Sequence, residues 1–423
     1  MTTIPISADG QAIALACSSL ALQGDRSLKP LTPVEWHELS LAMRSSELRP
    51  RDLVGMATDG LRDSLGLGAP LADRLSSLLS RGGQLAFEVE RLSGWGIWIV
   101  TRADDAYPAV LKQRLRGQAP PVLFGAGPQT NLQLPAIAIV GSRDVDDEAL
   151  QFASSLGRGC AKQGFAVVSG AARGVDLSAM TGALSYEAPA IGVTVDPLER
   201  LVRRRELRVA ITDELLTLVT PFTPSARWHA GNAMRRNRLI YTLAQAAVVV
   251  ASSTEKGGTR SGALENLKAG WVPLHVRDDG SPGNRRLIAD GGLPLPAREP
   301  VEQLDVRRLT LDPRPSLVAR DDASTAFAPA SQSPHGHAPP ADPLPQIDDA
   351  FVVVWPILAQ HLREPRGERE VADRMQLELT QARAWLKRAV DQGHVEIKPR
   401  PKRYVLRGAA EQLRIDADWY DAT

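Results

Sequence analysis

The chain has few cysteines and almost no net charge. Among its 423 residues only Cys17 and Cys160 are cysteines, and 50 basic residues balance 49 acidic ones to a formal net charge of +1. Two distant cysteines without metal-ligand spacing indicate small apolar core residues in a reducing compartment. Because the overall charge does not indicate a nucleic-acid partner, any basic surface must be local.

Long apolar runs and catalytic motifs are also missing. The apolar run 12–22 is too short to span a bilayer, follows Asp9 and lacks a basic leader, so it predicts the first helix of a cytoplasmic protein. The sequence contains no Walker A motif, no G-x-G-x-x-G fingerprint, no serine–histidine–acid set and no metal-ligand cluster. These absences predict a protein without a cofactor, a metal or catalytic residues.

The strongest pattern that is present lies in residues 136–195. The apolar run 136–140 predicts a buried parallel strand, which stops at Gly141, Ser142 and Arg143 before a predicted helix. The run 166–168 predicts the next strand, and the small-residue loop 169–174 follows it, with Asp176 as the predicted cap of a second helix.

Strand, glycine loop and helix, repeated twice, is how an open α/β sheet builds an anion site beyond the strand ends. For either loop alone, tight turns remain an alternative explanation of the glycines. Two such loops, each with an arginine, favour a phosphate or nucleotide site.

A third loop has the same pattern. The apolar run 246–251 predicts a buried strand, and Lys256, Gly257, Gly258 and Thr259 follow it before another predicted helix. Backbone N–H groups, a lysine and a hydroxyl can together bind a phosphate. Asn237 and Arg238 precede this strand and would also favour an anion.

These residues also carry a family resemblance. The segments VGSR, SGAARGVDLSAMTGAL, WHAGNAMRRNRLIYTLAQAAVVV and KGGTRSGALENLKAG resemble, in this order, the motifs of the DprA/Smf family. The resemblance covers roughly residues 94–295 and, more weakly, the C-terminal domain. It implies an α/β fold with a Rossmann-like, doubly wound, mostly parallel sheet, a small N-terminal helical (SAM-like) domain and a C-terminal winged-helix domain.

The resemblance also implies a function. DprA/Smf proteins bind single-stranded DNA and load a RecA-type recombinase, so we expect a non-catalytic DNA-binding protein that forms a homodimer and has no membrane partner. The residues expected to contact phosphates are Gly141, Ser142, Arg143, Ser169, Gly170, Arg173, Gly174, Asn237, Arg238, Lys256, Gly257, Gly258 and Thr259.

Composition and the resemblance together predict five segments. They are an N-terminal helical domain (1–92), a Rossmann domain (93–310), a proline-rich linker (311–347), a winged-helix domain (348–408) and a tail (409–423). The linker predicts a C-terminal domain that moves independently. A second surface, for duplex DNA, is predicted on the winged helix, although this domain would equally serve dimerisation or protein docking. Its basic residues are Arg383, Lys387, Lys398, Arg400, Lys402 and Arg403.

Several alternatives remain open at this stage. After the strand 190–195 the family has tyrosine-proline and asparagine-arginine, whereas this chain has an arginine run, which is either a solvated helix face or a surface that faces DNA. This divergence allows a role in a phage-defence or toxin–antitoxin system. A nucleotide phosphoribohydrolase-like enzyme is the second alternative, because Gly257, Gly258 and Thr259 with Glu265 weakly resemble its signature. The run comprises Arg200, Arg203, Arg204, Arg205 and Arg208.

Overall fold

The structure is a computed structural model that describes most of the chain. The described residues are 6–20, 22, 27–226, 230–254, 257–297, 301–311, 358–359, 361–375, 379–399 and 402–406. Lys256, Arg400, nearly all of the predicted linker 311–347 and the predicted tail 409–423 lie outside these ranges. Within these ranges, no helix has the length and apolar character needed to cross a bilayer.

The N-terminal part of the chain is helical. Its second helix begins where the sequence predicts, because Thr32 Oγ1 accepts a hydrogen bond from the Glu35 N–H (3.2 Å) and the Glu35 carboxylate accepts one from the Thr32 N–H (2.7 Å). This capping box satisfies two amides that the helix itself cannot pair. The helices are α1 (Ala8–Cys17), α2 (Pro33–Ser45), α3 (Thr58–Leu65), α4 (Ala69–Leu79) and α5 (Gly82–Ser93).

A nine-stranded sheet forms the centre of the described structure. Its strands are β1 (Ile97–Thr101), β2 (Val122–Ala126), β3 (Ala136–Gly141), β4 (Ala166–Ser169), β5 (Ala190–Val193), β6 (Leu216–Thr220), β7 (Ala246–Ala251), β8 (Leu274–Asp278) and β9 (Leu293–Pro296). The spatial order is β1-β2-β6-β5-β4-β3-β7-β8-β9. β2 pairs antiparallel with β1 and β6, and the remaining pairs are parallel.

This sheet confirms the expected α/β fold with a mostly parallel sheet, and β1 lies at one edge of it. The apolar segment 272–276 predicts the last strand of the sheet, and this prediction is wrong, because β9 pairs with β8 and becomes the outer strand. The sequence does not predict β9, because Pro294 and Pro296 are poor strand residues. They are tolerated here because β9 lies at the edge of the sheet.

Helices cover both faces of the sheet. Alternate residues of β3 point to opposite faces, so Ile137 and Ile139 join one apolar cluster, whereas Ala138 and Val140 join the other. The first cluster also contains Ile13 and Leu75, so the N-terminal helices share a core with the sheet. The helices are α6 (Ala109–Leu115), α7 (Asp147–Lys162), α8 (Val175–Leu184), α9 (Leu198–Leu201), α10 (Arg205–Thr212), α11 (Ala230–Leu243), α12 (Gly258–Ala269), α13 (Pro282–Ala289) and α14 (Val306–Leu309).

Two glycines allow α7 and α8 to cross closely. A Cβ atom on Gly157 would lie 2.2 Å from the carbonyl oxygen of Ala179, and one on Gly182 would lie 2.1 Å from the carbonyl oxygen of Ser154. Because α7 and α8 follow β3 and β4, their close crossing fixes the relative positions of the first two glycine loops.

We expect the substitution Gly182→Ala to lower the free energy of unfolding by about 1–3 kcal/mol, because the added methyl group would overlap a backbone carbonyl in a packed crossing. The matched control is Gly83→Ala in α5, where a Cβ atom would meet nothing within 4 Å. This control should raise stability by about 0.5 kcal/mol through the better helix propensity of alanine. Urea unfolding of both variants provides the comparison, and equal midpoints would contradict a tight crossing.

A separate unit lies near the C-terminus. It contains α15 (Glu368–Arg374), α16 (Leu379–Asp391) and an antiparallel hairpin of β10 (Val395–Pro399) and β11 (Lys402–Leu406). This unit contacts α5, which the sequence did not predict. The rings of Phe87 and Trp385 meet edge to face with centroids 6.5 Å apart, and Arg388 forms a 2.8 Å ion pair with Glu90.

Candidate nucleic-acid interface

A cleft of about 640 Å³ lies at the carboxyl ends of the central strands. β3 lies between β4 and β7 in the sheet. The connections that follow β3 and β7 therefore run in opposite directions and leave a crevice between them. Ligands of open α/β sheets bind at such a switch point. Seven of the predicted phosphate-contacting residues line this cleft, namely Gly141, Ser142, Arg143, Asn237, Gly257, Gly258 and Thr259.

The first loop presents Arg143 to the cleft. A Cβ atom on Gly141 would lie 2.5 Å from the side chain of Val175, so only glycine lets the loop pass this close to α8. The Ser142 N–H donates to the carbonyl oxygen of Ala251 (3.0 Å), which ties the loop to the end of β7. Arg143 is exposed and forms no ion pair with another described residue. Its charge is therefore available to an anion.

The predicted residues of the second loop do not line the cleft, although Ala172 of the same loop does. Ser169 is fully buried and donates from Oγ to the carbonyl oxygen of Ile139 (2.6 Å). Gly174 has a positive φ of 84°, and a Cβ atom there would lie 2.5 Å from the carbonyl oxygen of Arg143. Arg173 turns outward and forms a 2.6 Å ion pair with the exposed Asp144. These residues support the first loop and do not face the cleft.

Gly170 and Asp176 explain why the second loop faces inward. A Cβ atom on Gly170 would lie 2.5 Å from Asp176 Oδ2 and 2.0 Å from Arg236 Nη1, so the loop backbone passes against both side chains. Asp176 is not the helix cap that the sequence suggests, because Gly174 occupies the cap position and Asp176 lies in the first turn. Its carboxylate occupies the space inside the loop where a phosphate was expected.

Asp176 and Arg236 form a buried pair of opposite charges at the base of the cleft. Their exposed fractions are 7% and 6%. Burial raises the pKa of the Asp176 carboxyl group, and the charge of Arg236 opposes this rise. Burial lowers the pKa of Arg236, Asp176 acts in the opposite direction, and the nearby charge of Arg143 lowers it further. Two guanidinium groups thus lie near each other, with one buried carboxylate as a counter-charge.

Arg236 has an unsatisfied hydrogen-bond donor. Its Nε atom is buried and has no hydrogen-bond partner among the described residues, although the side chain lines the cleft. An unpaired buried donor on a cation favours a charged acceptor. Arg236 is not among the residues predicted from the sequence to contact phosphates. Its spacing does indicate its position, because Arg236 lies one helical turn before Ile240 and therefore shares its face of α11.

The third loop contributes the beginning of α12. Gly257, Gly258 and Thr259 line the cleft, and Asn237 Nδ2 donates to the carbonyl oxygen of Gly258 (3.0 Å). Asn237 thus fixes the loop against α11. The first amides of the twelve-residue helix α12 have no partner within the helix and carry its positive dipole end, which favours an anion. Lys256 lies outside the described residues.

Arg238 lies on the other side of α11, away from this cleft. Its Nε donates to the Glu265 carboxylate (2.6 Å) and its Nη1 to Gln118 Oε1 (3.0 Å). It lines a second cleft of about 540 Å³ between α11 and the N-terminal helices. Arg236 and Arg238 are two residues apart and therefore point in roughly opposite directions from the helix.

The C-terminal basic residues are partly neutralised. Arg383 forms a 2.6 Å ion pair with Glu368, and Arg403 lies 3.4 Å from Glu370. Lys387 and Lys398 are exposed. Arg400 lies outside the described residues, and Lys402 is described only as part of the β11 backbone. The positive charge of this unit is thus lower than the sequence suggests.

The first cleft can bind an anion through Arg143, Arg236 and the amides of α12. Few of its described side chains could act as a general acid or base. Among the described residues, the carboxylates that line it are Asp144, which pairs with Arg173, and Asp176, which is buried beside Arg236. Among the described residues, no group of three or more histidine, cysteine, aspartate or glutamate side chains could hold a metal ion. The geometry therefore favours binding of phosphates.

Comparisons with known proteins match the central part of the chain. The family described as DNA recombination-mediator protein A matches residues 98–302. The putative DNA processing protein DprA of Mycobacterium tuberculosis is 29% identical over 244 residues, which cover 52% of this chain and 57% of that protein. The DNA processing protein DprA of Bacillus subtilis is 28% identical over 224 residues, which cover 51% of this chain and 73% of that protein.

A solved structure of DprA from Streptococcus pneumoniae aligns with a TM-score of 0.48 and 20% identity, covering 63% of this chain and 95% of that one. The matched segment 98–302 contains almost all of the sheet and the three glycine loops. The alignment with the Mycobacterium tuberculosis relative spans 57% of that protein, so the chain covers little more than half of its length. Through its central segment, the chain is similar to the DprA/Smf family.

Proposed function

We propose that this protein binds single-stranded DNA in the cleft at the carboxyl edge of its sheet and acts as a recombination mediator without catalytic activity. The observation that carries the proposal is the cleft itself, where Arg143, the buried Arg236 and the beginning of α12 converge. Successive phosphates of one strand would lie between these groups. The family match supports DNA as the anion, because the matching family is described as DNA recombination mediators.

A single strand fits this cleft better than a duplex. The walls are formed by loops and by α11, so a ligand must bend into the space between them. A single strand is flexible and exposes its backbone, whereas duplex DNA is stiff over about 150 base pairs. The expected site residues are Gly141, Ser142, Arg143, Asn237, Lys256, Gly257, Gly258 and Thr259, with Ser169, Gly170 and Gly174 as supports behind them.

The enzyme alternative receives no support from the geometry. A phosphoribohydrolase would need Glu265 at the sugar of a bound nucleotide. Instead, Glu265 accepts a hydrogen bond from Arg238 and does not line the first cleft. We therefore assign Glu265 a structural role on the far side of α11.

The C-terminal unit is proposed to be a winged-helix domain, because two helices are followed by a two-stranded hairpin. Its paired arginines favour a weak contribution to duplex binding. A RecA-type recombinase and a second copy of this chain are the partners that the family resemblance suggests, and they form part of this proposal.

Titration of labelled single-stranded DNA against a duplex of equal length tests the proposal. We expect tighter binding of the single strand, with the logarithm of the association constant falling against the logarithm of salt concentration by about 0.7 per phosphate contact. Fluorescence anisotropy at two salt concentrations measures both quantities. Absence of single-strand binding, or binding that salt does not weaken, would contradict it.

A further inference from the structure

The arginine run between β5 and β6 forms an exposed basic surface. Its apolar residues Leu198, Leu201 and Val202 are buried against the core and hold the segment in place. The arginines point the other way, and all five are exposed: Arg200, Arg203, Arg204, Arg205 and Arg208. One face of the segment is thus packed against the core, and the other face carries a concentrated positive charge.

The two carboxylates within the run neutralise at most one of its arginines. Glu199 forms a 2.8 Å ion pair with Arg91 of α5, and Glu206 is 4.0 Å from Arg204. No ion pair joins the other exposed arginines of α9 and α10 to a carboxylate in the part of the chain that the structure describes. Exposed like charges without counter-charges attract a polyanion.

Trp95 fixes one of the five arginines. The Arg203 guanidinium lies 4.2 Å from the centroid of the Trp95 ring, and the Arg91 guanidinium lies 4.8 Å from the same centroid. Stacking uses the flat face of a guanidinium group and leaves its in-plane N–H groups for a phosphate. The start of the run is therefore ordered before any ligand arrives.

The run begins at the same edge of the sheet as the cleft. β5 lies next to β4, and its carboxyl end reaches the same edge of the sheet as that of β3. Asp196, between β5 and α9, is close enough to the cleft residue Arg236 for its charge to oppose the lowering of the Arg236 pKa that burial causes. A strand that leaves the cleft on the β5 side would therefore meet the arginines within a few nucleotides.

We propose that the arginine run 200–208 is a second phosphate-binding surface, which binds the part of a single strand that extends beyond the cleft. This inference rests on the proposed function and adds the path of the strand to it. Continuity with the cleft favours a nucleic-acid backbone over an acidic protein as the ligand.

Oligothymidylates of two lengths test this inference, one of about 5 nucleotides that fills only the cleft and one of about 30 that also reaches the run. The variant is Arg200→Gln/Arg204→Gln. The matched control is Arg307→Gln/Arg308→Gln in α14, which replaces two exposed arginines near Gln163, at the end of α7 opposite the cleft. All proteins are full-length, and circular dichroism confirms that each is folded.

We expect the variant to bind the long oligonucleotide about 10-fold more weakly, with a salt dependence flatter by up to about 1.4 logarithmic units, or 0.7 per lost contact. The short oligonucleotide should bind as it does to the wild type, and the control should leave both unchanged.

If the wild type binds both oligonucleotides and the variant binds the long one equally well, this inference fails and the proposed function stands. An acidic protein partner would then be the better ligand for the run. If the wild type binds neither oligonucleotide, both proposals fail.

Discussion

Replacing Arg143 by glutamate is expected to weaken single-stranded DNA binding about 100-fold while leaving the fold intact. A hydrogen bond to a charged group contributes about 1.5–3 kcal/mol, and a carboxylate at this position would also repel the phosphate. Arg143 is exposed and has no ion pair with another described residue, so its removal leaves no buried charge. Anisotropy titration measures the affinity, and circular dichroism measures the fold.

The matched control for this experiment is Arg173→Glu. Arg173 is also exposed and follows the neighbouring strand, but its guanidinium already pairs with Asp144 and does not line the cleft. We expect this variant to bind DNA at most a few-fold more weakly, because the substitution changes only the overall electrostatic potential around the cleft. Equal losses of DNA affinity in the two variants would contradict the proposed role of Arg143 as a cleft residue that contacts phosphate.

Replacing Arg236 by methionine is expected to lower the free energy of unfolding by about 3–5 kcal/mol at neutral pH, because it leaves the buried Asp176 carboxylate without its counter-charge. The cost should decrease at acidic pH. The folded-state pKa of Asp176 is already raised by burial and rises further without Arg236. A raised folded-state pKa means that the stabilising contribution is complete below the unfolded value of about 3.9 and is lost as the pH rises through the folded value.

The double variant Asp176→Asn/Arg236→Met provides the control, because it has no carboxylate to titrate at this position. Urea unfolding at pH 5 and pH 8 should show a pH-dependent loss of stability in the single variant that is absent from the double variant. A loss that does not change with pH would mean that Arg236 is not the counter-charge of Asp176.

The sequence predicts the parallel strands at the centre of the sheet, and predicted residues from two of the three loops line the cleft. The runs 136–140, 166–168 and 246–251 are continuous and apolar, which is typical of buried parallel strands, and the carboxyl ends of parallel strands meet at one edge. Gly141 and Gly257 therefore come together in the cleft as expected. Lys256 stays a prediction, because it lies outside the described residues.

The second loop shows where sequence reasoning reaches its limit. Its glycines, serine and arginine match the pattern of a phosphate loop, but the Asp176 carboxylate lies against Gly170 inside the loop. Whether loop amides face solvent or an internal carboxylate depends on the packing of α8, which the local sequence does not encode. The same reason applies to Arg236 and Arg238, since only tertiary packing decides which face of α11 borders the cleft.

The contact between the C-terminal unit and α5 has a consequence for how this chain assembles. Glu90 and Arg388 are 298 residues apart in sequence, so their pairing joins two distant parts of the same chain. The C-terminal unit thus behaves as a ligand of α5 that is attached to the same chain. The fraction of molecules in which it contacts α5 depends on an effective concentration and not on the concentration of the protein. Because α5 also carries Arg91, which stacks on Trp95 beside Arg203, release of this unit from α5 would first change the start of the arginine run.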